Sequence, residues 1–395
     1  MLLKNKIVPI AEQGISSVLG FGVGLIALGL LSLEDFGRYS VIFSVSVFLQ
    51  YIMQSVLIEP AVALKKKSKD DTSSVYFVII VCSIILSGLF SAILTLAFGF
   101  AFNISFLYLS SIATYYFMRR YFLLSYHESY SIVLSLIICL IAFFFYGFQD
   151  NVTYSLNDIF LGISLIYIIP SVCIIVLYLF FKNSDMYIDF KNSNLYLKNL
   201  YQRNFFILPS AFFAWFQTNS IILFLFYLDS HELNGVYRVI LIFSAPAMQI
   251  VSQLAQLSMR DYKGEDFNFN TSARILVMTI TLSLMSSILF YILARLEWIE
   301  IDFYGNEFLL FLSLIFYPIG MTLHTLVSIH AKMKLSFQVL FYSHVIGVTF
   351  VIMMSSIFAF FLSNTNVLIL SSTVSMSYLV SAYFMYLILG LKKSQ

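Results

Sequence analysis

The sequence predicts an all-α polytopic membrane protein with twelve transmembrane helices in two six-helix lobes. Three observations predict it: a low content of charge, the lengths of the uncharged runs, and the one-sided placement of Lys and Arg. Apolar residues make up 60% of the 395-residue chain and charged residues only 11%, against about 25% charged in soluble domains. Because so few charges cannot cover a surface that faces water, lipid must be the solvent for most of the chain.

Ten stretches free of Asp, Glu, Lys and Arg are long enough to cross a bilayer core, which takes about 20 apolar residues. Two of them, 72–118 and 335–391, have the length of two helices each. We expect a turn near 99–103 in the first and at 363–366 in the second, where Gly or polar residues interrupt the apolar run. With the eight single stretches, the count is twelve helices. The single stretches are 13–33, 39–58, 129–149, 159–181, 204–228, 239–259, 275–294 and 308–331.

Lys and Arg fall almost entirely on one side of the membrane when twelve helices are threaded in alternation. With the N-terminus inside, 19 of the 22 basic residues lie in inside segments, and only Arg38, Arg238 and Arg295 lie outside. Basic residues are enriched in cytoplasmic loops, so we predict that both termini are cytoplasmic. Loss or gain of one helix would destroy this alternation, which supports the helix count as well.

The longest hydrophilic stretch between helices divides the chain into six helices and six. We predict an N-terminal lobe over 1–181, a cytoplasmic linker over 182–204 and a C-terminal lobe over 205–395. Because six is an even number, the halves would be parallel repeats about an axis along the membrane normal. Paired lobes of this kind are typical of transporters that bind substrate between them.

Short motifs at the starts of helices 2 and 8 favour such a repeat, with chance similarity as the alternative. At an offset of 198 residues, three identical pairs coincide: Glu34 with Glu232, Gly37 with Gly235, and Tyr39 with Tyr237.

Helix 8 carries a polar stripe. At ~100° per residue, five residues share a face about 60° wide: Arg238, Gln249, Gln253, Gln256 and Arg260. The stripe spans about 33 Å at ~1.5 Å per residue, which is the thickness of the membrane core. Such polar side chains should not face lipid. They predict either the wall of a substrate cavity or hydrogen bonds between helices.

Further polar residues lie within the apolar runs. Arg203 and Gln217 share one face of helix 7 and are candidates for the same cavity. Glu12 is the acid that lies well into an apolar run, so it is a candidate proton or cation site; the alternative is an ion pair with Lys6 or a neighbouring helix. We expect His324 in helix 10 to be a packed, hydrogen-bonding residue rather than a ligand.

No pattern for catalysis or metal binding is present in the sequence. A phosphate-binding glycine loop, HExxH and GxSxG are absent, and the three cysteines do not have the spacing of metal ligands. We therefore expect no catalytic residue, cofactor, metal or nucleic-acid partner. Any transport would use ion or substrate gradients rather than ATP bound to this chain.

Several motifs resemble polysaccharide flippases of the Wzx type, members of the multidrug/oligosaccharidyl-lipid/polysaccharide (MOP) exporter superfamily. They are EQGISS at 12–17, LEDFGRYS at 33–40, Glu59-Pro60, Arg119-Arg120 and LNGVYR at 233–238. The resemblance covers the whole chain through its length, its twelve-helix layout and its six-plus-six division. It implies a protein of the bacterial cytoplasmic membrane that moves an undecaprenyl-pyrophosphate-linked oligosaccharide, such as an O-antigen repeat unit, to the outer leaflet.

The resemblance implies partners and roles for individual residues. The partners are the lipid-linked oligosaccharide, membrane lipid and other membrane proteins of polysaccharide assembly. Arg119, Arg120 and Arg203, at cytoplasmic helix ends, are candidates to attract the pyrophosphate, because Arg binds phosphate bidentately. Arg238 would lie at the outer exit, and the glutamines of helix 8 would contact sugar. The chain departs from a strongly cationic cavity in having few basic residues deep in the membrane.

Two other functions remain open. An O-antigen polymerase is also polytopic and aromatic-rich, but it would need a large external loop, and here the longest external segments, 149–158 and 295–307, are short. A drug/cation antiporter of the same superfamily would use Glu12 for coupling to a cation.

Overall fold

The computed structural model describes residues 4–53, 73–124, 128–146, 154–182, 206–260, 269–295, 307–333, 337–361 and 367–391. These residues form twelve α-helices. In chain order they are α1 (Lys4–Leu30), α2 (Leu33–Ile52), α3 (Ser73–Phe98), α4 (Phe102–Leu124), α5 (Glu128–Tyr146), α6 (Leu156–Lys182), α7 (Ile207–Tyr227), α8 (His231–Arg260), α9 (Phe269–Arg295), α10 (Glu307–Met333), α11 (Phe337–Phe361) and α12 (Val367–Leu391).

The prediction of an all-α fold with twelve helices is confirmed for these parts of the chain. Gly99 has a φ of 72° and separates α3 from α4 where the first turn was predicted, because glycine adopts this left-handed conformation at little cost. The second predicted turn, 363–366, lies outside the described residues, between the end of α11 and the start of α12. Seven of the described helices are long and apolar enough to cross a membrane: α3, α5, α6, α7, α9, α11 and α12.

Serine caps define the starts of two helices. The backbone N–H of Asp35 donates to the Ser32 hydroxyl (3.1 Å), and this hydroxyl donates to the Asp35 carboxylate (3.2 Å). At α6, the N–H of Asp158 donates to Ser155 Oγ (3.3 Å), while Ser155 donates to the Asp158 carboxylate through its own N–H (3.1 Å) and hydroxyl (2.6 Å). These reciprocal bonds satisfy backbone donors that have no partner within the first helical turn.

Helices α3 and α9 share a ladder of buried hydroxyls, each of which donates to the carbonyl four residues earlier at 2.7–2.9 Å. The members are Ser83, Ser87 and Ser91 in α3, and Thr279, Ser283 and Ser287 in α9. Each pair is 196 residues apart, and the opposite faces carry exposed apolar residues at the same offset, such as Val81 and Val277. Small hydroxyl residues allow close helix packing in a membrane, so both helices bury the ladder and present the apolar face to lipid.

The chain forms two compact units. Unit 1 comprises Met1–Val23 and Ile42–Phe212, and unit 2 comprises Gly24–Val41 and Phe213–Gln395. In unit 1, α4 packs against α3, α5 and α6, and α5 also packs against α6. In unit 2, α10 packs against α9, α11 and α12, and α11 also packs against α12. The packing order of the first unit therefore recurs in the second, six helices later.

Within unit 2, the two short motifs that share the 198-residue offset contact each other. A Cβ added at Gly37 would overlap the carbonyl oxygen of His231, and one added at Gly235 would lie 2.6 Å from that of Leu33. Asn234 bridges the same crossing, since its side-chain amide donates to the Gly37 carbonyl at 3.2 Å. Leu33 and His231 are also 198 residues apart, so the contact is reciprocal, as in a two-fold interface. Glycine is required at both positions because backbone takes the space of a side chain.

Candidate functional site

The interior of unit 1 contains an ion pair. Glu12 on α1 is 0% exposed and Arg119 on α4 is 7% exposed. The guanidinium donates to the carboxylate twice, from Nε at 2.7 Å and from Nη2 at 3.2 Å. The structure therefore contains the ion pair between Glu12 and a neighbouring helix that the sequence offered as one alternative.

Serine hydroxyls complete the surroundings of the Glu12 carboxylate. Ser131 on α5 donates to Oε1 at 2.6 Å, and Ser16 on α1 donates to the same oxygen at 3.1 Å. Ser135 extends the network by hydroxyl contacts of 3.3 Å with Ser16 and 3.1 Å with Tyr115. One carboxylate thus connects α1, α4 and α5, and its oxygens accept hydrogen bonds from the guanidinium and from two serines.

This arrangement has a clear chemical consequence. A buried charge is tolerated only when it is paired and hydrogen-bonded, and Glu12 and Arg119 meet that condition together. A cation that bound to Glu12 would first have to displace the guanidinium. In this conformation the pair therefore stabilises the packing of three helices rather than offering an open cation site.

Arg120, next in the chain, has a different environment. It is half-buried, its Nε donates to the Tyr116 hydroxyl at 3.2 Å, and its Cζ lies 5.3 Å from the centre of that ring. Arg295 at the end of α9 makes the same pair of contacts with Tyr291, at 3.1 Å and 5.3 Å. Each arginine thus lies along a tyrosine one helical turn earlier.

Unit 2 contains a second buried polar group, centred on Gln217 of α7, which is 0% exposed. Its amide nitrogen lies 2.9 Å from the Ser377 hydroxyl and 3.3 Å from the Ser381 hydroxyl on α12. Its amide oxygen lies 3.4 Å from Nδ1 of His344 on α11. We call these four residues, together with His324, the amide–imidazole cluster.

The two histidines of this cluster pack against each other. The ring centres of His324 and His344 are 4.8 Å apart, and that of Tyr378 lies 5.3 Å from His324. Nδ1 of His324 is 3.5 Å from the Ser328 hydroxyl. His324 is a packed residue, as the sequence predicted, but its neighbour is a second imidazole that the sequence analysis did not single out.

Gly347 makes room for the amide of Gln217. A Cβ added at Gly347 would overlap the Ser381 hydroxyl and would lie 2.5 Å from Nε2 and 2.7 Å from Cδ of Gln217. The amide can therefore lie between α11 and α12 only because residue 347 has no side chain.

The two polar groups occupy corresponding helices of the two units. Glu12, Arg119 and Ser131 lie on α1, α4 and α5; Gln217, His324 and His344 lie on α7, α10 and α11. Where unit 1 has a carboxylate and a guanidinium, unit 2 has an amide and two imidazoles. Unit 1 therefore has an ion pair at this place, and unit 2 has imidazoles, which can take up a proton.

The other candidate residues have the following places. Arg238 lies on α8 and is 7% exposed. Gln249, Gln253 and Gln256 belong to the helical part of α8, but their side chains lie outside the description, and Arg203 lies outside the described residues altogether.

Among the side chains that the structure describes, three carboxylate or guanidinium groups are buried: Glu12, Arg119 and Arg238. The same part of the chain holds no group of three His, Cys, Asp or Glu residues that could bind a metal ion.

Sequence reasoning missed Ser131, Ser135, His344, Ser377 and Ser381. Serines are common in this chain, and nothing along the sequence distinguishes those that contact Glu12 or Gln217. Ser131 is 119 residues from Glu12, and Ser377 is 160 residues from Gln217. The one available signal was that His324 and His344 are two of only five histidines, both inside apolar runs.

Comparison with known proteins identifies the fold. No family model matches the sequence, and no curated protein matches it significantly. Among solved structures, an inward-facing multidrug resistance MATE family transporter of the MOP superfamily is 13% identical with a TM-score of 0.64, and 98% of each chain is covered. The lipid II flippase MurJ, in an inward closed conformation, is 15% identical with a TM-score of 0.64, covering 98% of this chain and 88% of that one.

A eukaryotic MATE transporter, AtDTX14, is similar to the same degree, with 15% identity, a TM-score of 0.63 and coverage of 98% and 95%. At these identities the likeness establishes the fold. The chain is a multi-pass membrane protein with the fold that the MATE transporters and MurJ share.

Proposed function

We propose that this protein is a flippase that moves a lipid-linked oligosaccharide, joined to undecaprenyl through pyrophosphate, across the bacterial cytoplasmic membrane by alternating access. The likeness to MurJ, by name a lipid II flippase, supports a lipid-linked substrate. The motif resemblance at 12–17 and 33–40 supports a polysaccharide pathway, such as that of O-antigen.

One observation supports the choice of an anionic substrate: the buried carboxylate that a cationic substrate would need is already paired. Glu12 is the one buried Asp or Glu among the described side chains, and Arg119 neutralises it. A substrate that is itself a cation needs a carboxylate without an ion-pair partner. A pyrophosphate instead gains from Arg, whose planar fork binds phosphate oxygens bidentately.

Within this proposal, the arginines have different roles. Arg119 is already bound to Glu12, so a contact with substrate phosphate would require it to leave that carboxylate. Arg120 and Arg203 are therefore the first candidates to attract the pyrophosphate at the cytoplasmic side, with Arg238 on the path outward. Gln249, Gln253 and Gln256 would donate amide hydrogen bonds to the sugars.

A multidrug antiporter is the second candidate, because several structures with this fold are of multidrug transporters. This candidate would use Glu12 as the coupling group and would require the ion pair with Arg119 to open. A polymerase is disfavoured, since the MATE and MurJ structures that share the fold are of transporters and a flippase.

Reconstitution in liposomes separates the candidates. Purified protein is given a polyprenyl-pyrophosphate-linked oligosaccharide confined to one leaflet, and its arrival in the other leaflet is measured with an impermeant lectin. Uptake of a cationic fluorescent dye is measured in parallel. We expect movement of the oligosaccharide lipid and no uptake of the dye. Dye uptake without lipid movement would establish the antiporter instead.

Arg120 provides the residue-level test, with Arg295 as its matched control. Both arginines make the same contacts with a tyrosine one turn earlier, but the predicted topology places them on opposite sides of the membrane. A charge-assisted contact to phosphate contributes ~1.5–3 kcal/mol, so Arg120→Ala should weaken substrate binding by about 10- to 150-fold. Arg120→Lys should be intermediate, and Arg295→Ala should have no effect. Equal loss in Arg120→Ala and Arg295→Ala would remove Arg120 from the site.

A further inference from the structure

Gln217 is held in one orientation by α12. Its amide nitrogen faces the hydroxyls of Ser377 and Ser381. Both hydroxyls already donate their single proton to backbone carbonyls, at 2.7 Å and 2.9 Å. Each serine oxygen can therefore only accept a hydrogen bond from the Gln217 amide, because only its lone pairs remain available. The amide nitrogen must face the serines, and the amide oxygen must face His344.

The orientation of the amide defines the tautomer of His344. Nδ1 of this ring lies 3.4 Å from Oε1 of Gln217, and an amide oxygen only accepts hydrogen bonds, so Nδ1 carries the hydrogen. In a neutral imidazole the other nitrogen is then the basic one. A proton that reaches His344 must bind at Nε2, and the bond from Nδ1 to Gln217 then becomes charge-assisted and stronger.

The second imidazole limits the number of protons. Both rings are buried, His324 to 6% and His344 to 7% exposure, and their centres are 4.8 Å apart. For two unit charges about 5 Å apart at an effective dielectric constant of about 20, the second proton binds at least about 100-fold more weakly than the first. The pair can therefore hold at most one proton. The ring of Tyr378 packs against that of His324, with centres 5.3 Å apart and planes tilted by 59°.

The helices around the pair supply no neighbouring carboxylate. Helices α7, α11 and α12 contain no Asp, Glu, Lys or Arg, and the charges on α10 lie near its two ends, far along the helix from His324. Helices α8 and α9, which also pack against α10, contribute one acid at the start of α8. The charged residues and further histidines of α8, α9 and α10 are His231, Glu232, Arg238, Arg260, Arg274, Arg295, Glu307, His330 and Lys332, and the buried tyrosines of α8, α10 and α12 are Tyr237, Tyr317 and Tyr378.

We propose that His324 and His344, oriented by Gln217, form a binding site for a single proton in the interior of unit 2. Nε2 of His344 receives the proton, and His324 is the alternative position for it within the same pair. Gln217 is a positioning residue, since it sets the tautomer without taking up the proton. The site differs from the Glu12–Arg119 pair of unit 1, where a carboxylate and a guanidinium already balance each other.

The role of this site in transport rests on the proposed function. The corresponding place in unit 1 holds an ion pair in this structure, whereas the interior charge of unit 2 changes by one when the proton binds or leaves. A flippase with this site would move one proton per cycle, and a pH difference across the membrane would change its rate. The binding of the proton itself does not depend on which substrate is carried.

Nuclear magnetic resonance tests the site directly. The purified full chain, with its five histidines carrying ¹³C at Cε1, is titrated from pH 4.5 to pH 9 in detergent micelles. Single His→Gln variants assign the signals.

We expect the signals of His324 and His344 to change over the same pH range, with a combined change that corresponds to one proton. His344→Gln should leave His324 with a separate transition of its own, and Gln217→Leu should alter the shape of the shared transition. His330→Gln, on the same helix as His324, is the control and should leave both signals unchanged.

Two outcomes would overturn the proposal: signals from both rings that stay constant over the whole range, or two independent transitions that sum to two protons.

Transport is then measured in liposomes with and without a pH difference. We expect wild type and His330→Gln to show the same basal lipid movement and to respond to that difference, and His344→Gln to lose the response. If the shared titration is found but no lipid-linked oligosaccharide moves, the proton site stands and the flippase assignment fails.

Discussion

The Glu12–Arg119 pair allows the most quantitative test of the structure. Both groups are buried, and the carboxylate accepts two bonds from the guanidinium and two from serine hydroxyls. Arg119→Met removes the guanidinium and leaves a buried carboxylate with only the serines. Loss of one partner from a buried ion pair costs about 3–5 kcal/mol, because the other charge stays desolvated. We expect the free energy of unfolding to fall by that amount.

The double variant Glu12→Leu/Arg119→Met distinguishes the pair from simple loss of contacts. When both charges are replaced by apolar groups of similar size, no charge is left without a partner, and such replacements are often neutral. The double variant should therefore be more stable than either Glu12→Leu or Arg119→Met. The interaction energy from the double-mutant cycle should exceed about 2 kcal/mol, well beyond the ~0.3–0.5 kcal/mol within which independent sites add.

The assay is unfolding in mixed micelles by titration with a denaturing detergent, followed by the change in helix content. Arg295→Met is the control, since Arg295 is exposed at the end of α9, so its loss should cost no more than about 1 kcal/mol. If the effects of Glu12→Leu and Arg119→Met simply add in the double variant, the two residues do not form the pair described here.

Three further predictions concern backbone space and topology. Gly347→Ala should cost about 1–3 kcal/mol, because its Cβ would overlap the buried amide beside it, whereas Gly14→Ala, which meets nothing within 4 Å, should be neutral or slightly stabilising in the same unfolding assay. Gly235→Ala should lower the yield of folded protein in size-exclusion chromatography, because its Cβ would lie 2.6 Å from a backbone oxygen; Gly29→Ala, with open space around it, should behave as wild type, and equal yields would contradict the close helix crossing. A cysteine introduced at Ser68 should be unreactive to an impermeant thiol reagent added to intact cells, as the cytoplasmic position predicts; labelling from outside would invert the topology.

Much of the architecture could be predicted from the sequence because the bilayer acts on one helix at a time. Every backbone group in lipid must be hydrogen-bonded within its own segment, so an uncharged run of about 20 residues is already a helix before any packing is known. This is why the break around Gly99 was located correctly. The offset of 198 residues was also visible in the sequence, through the glycines at 37 and 235.

Tertiary structure alone decided which polar residues meet. Glu12 could have paired with Lys6 nearby, and it pairs with Arg119, 107 residues away. Gln217 was expected to face a cavity with the other glutamines, and its described contacts are with His344, Ser377 and Ser381. Helical periodicity tells on which face of a helix a residue lies, but the neighbour on that face depends on how the helices pack. In lipid that choice depends on close contact between small residues and on hydrogen bonds between helices, and neither leaves a signal within a single segment.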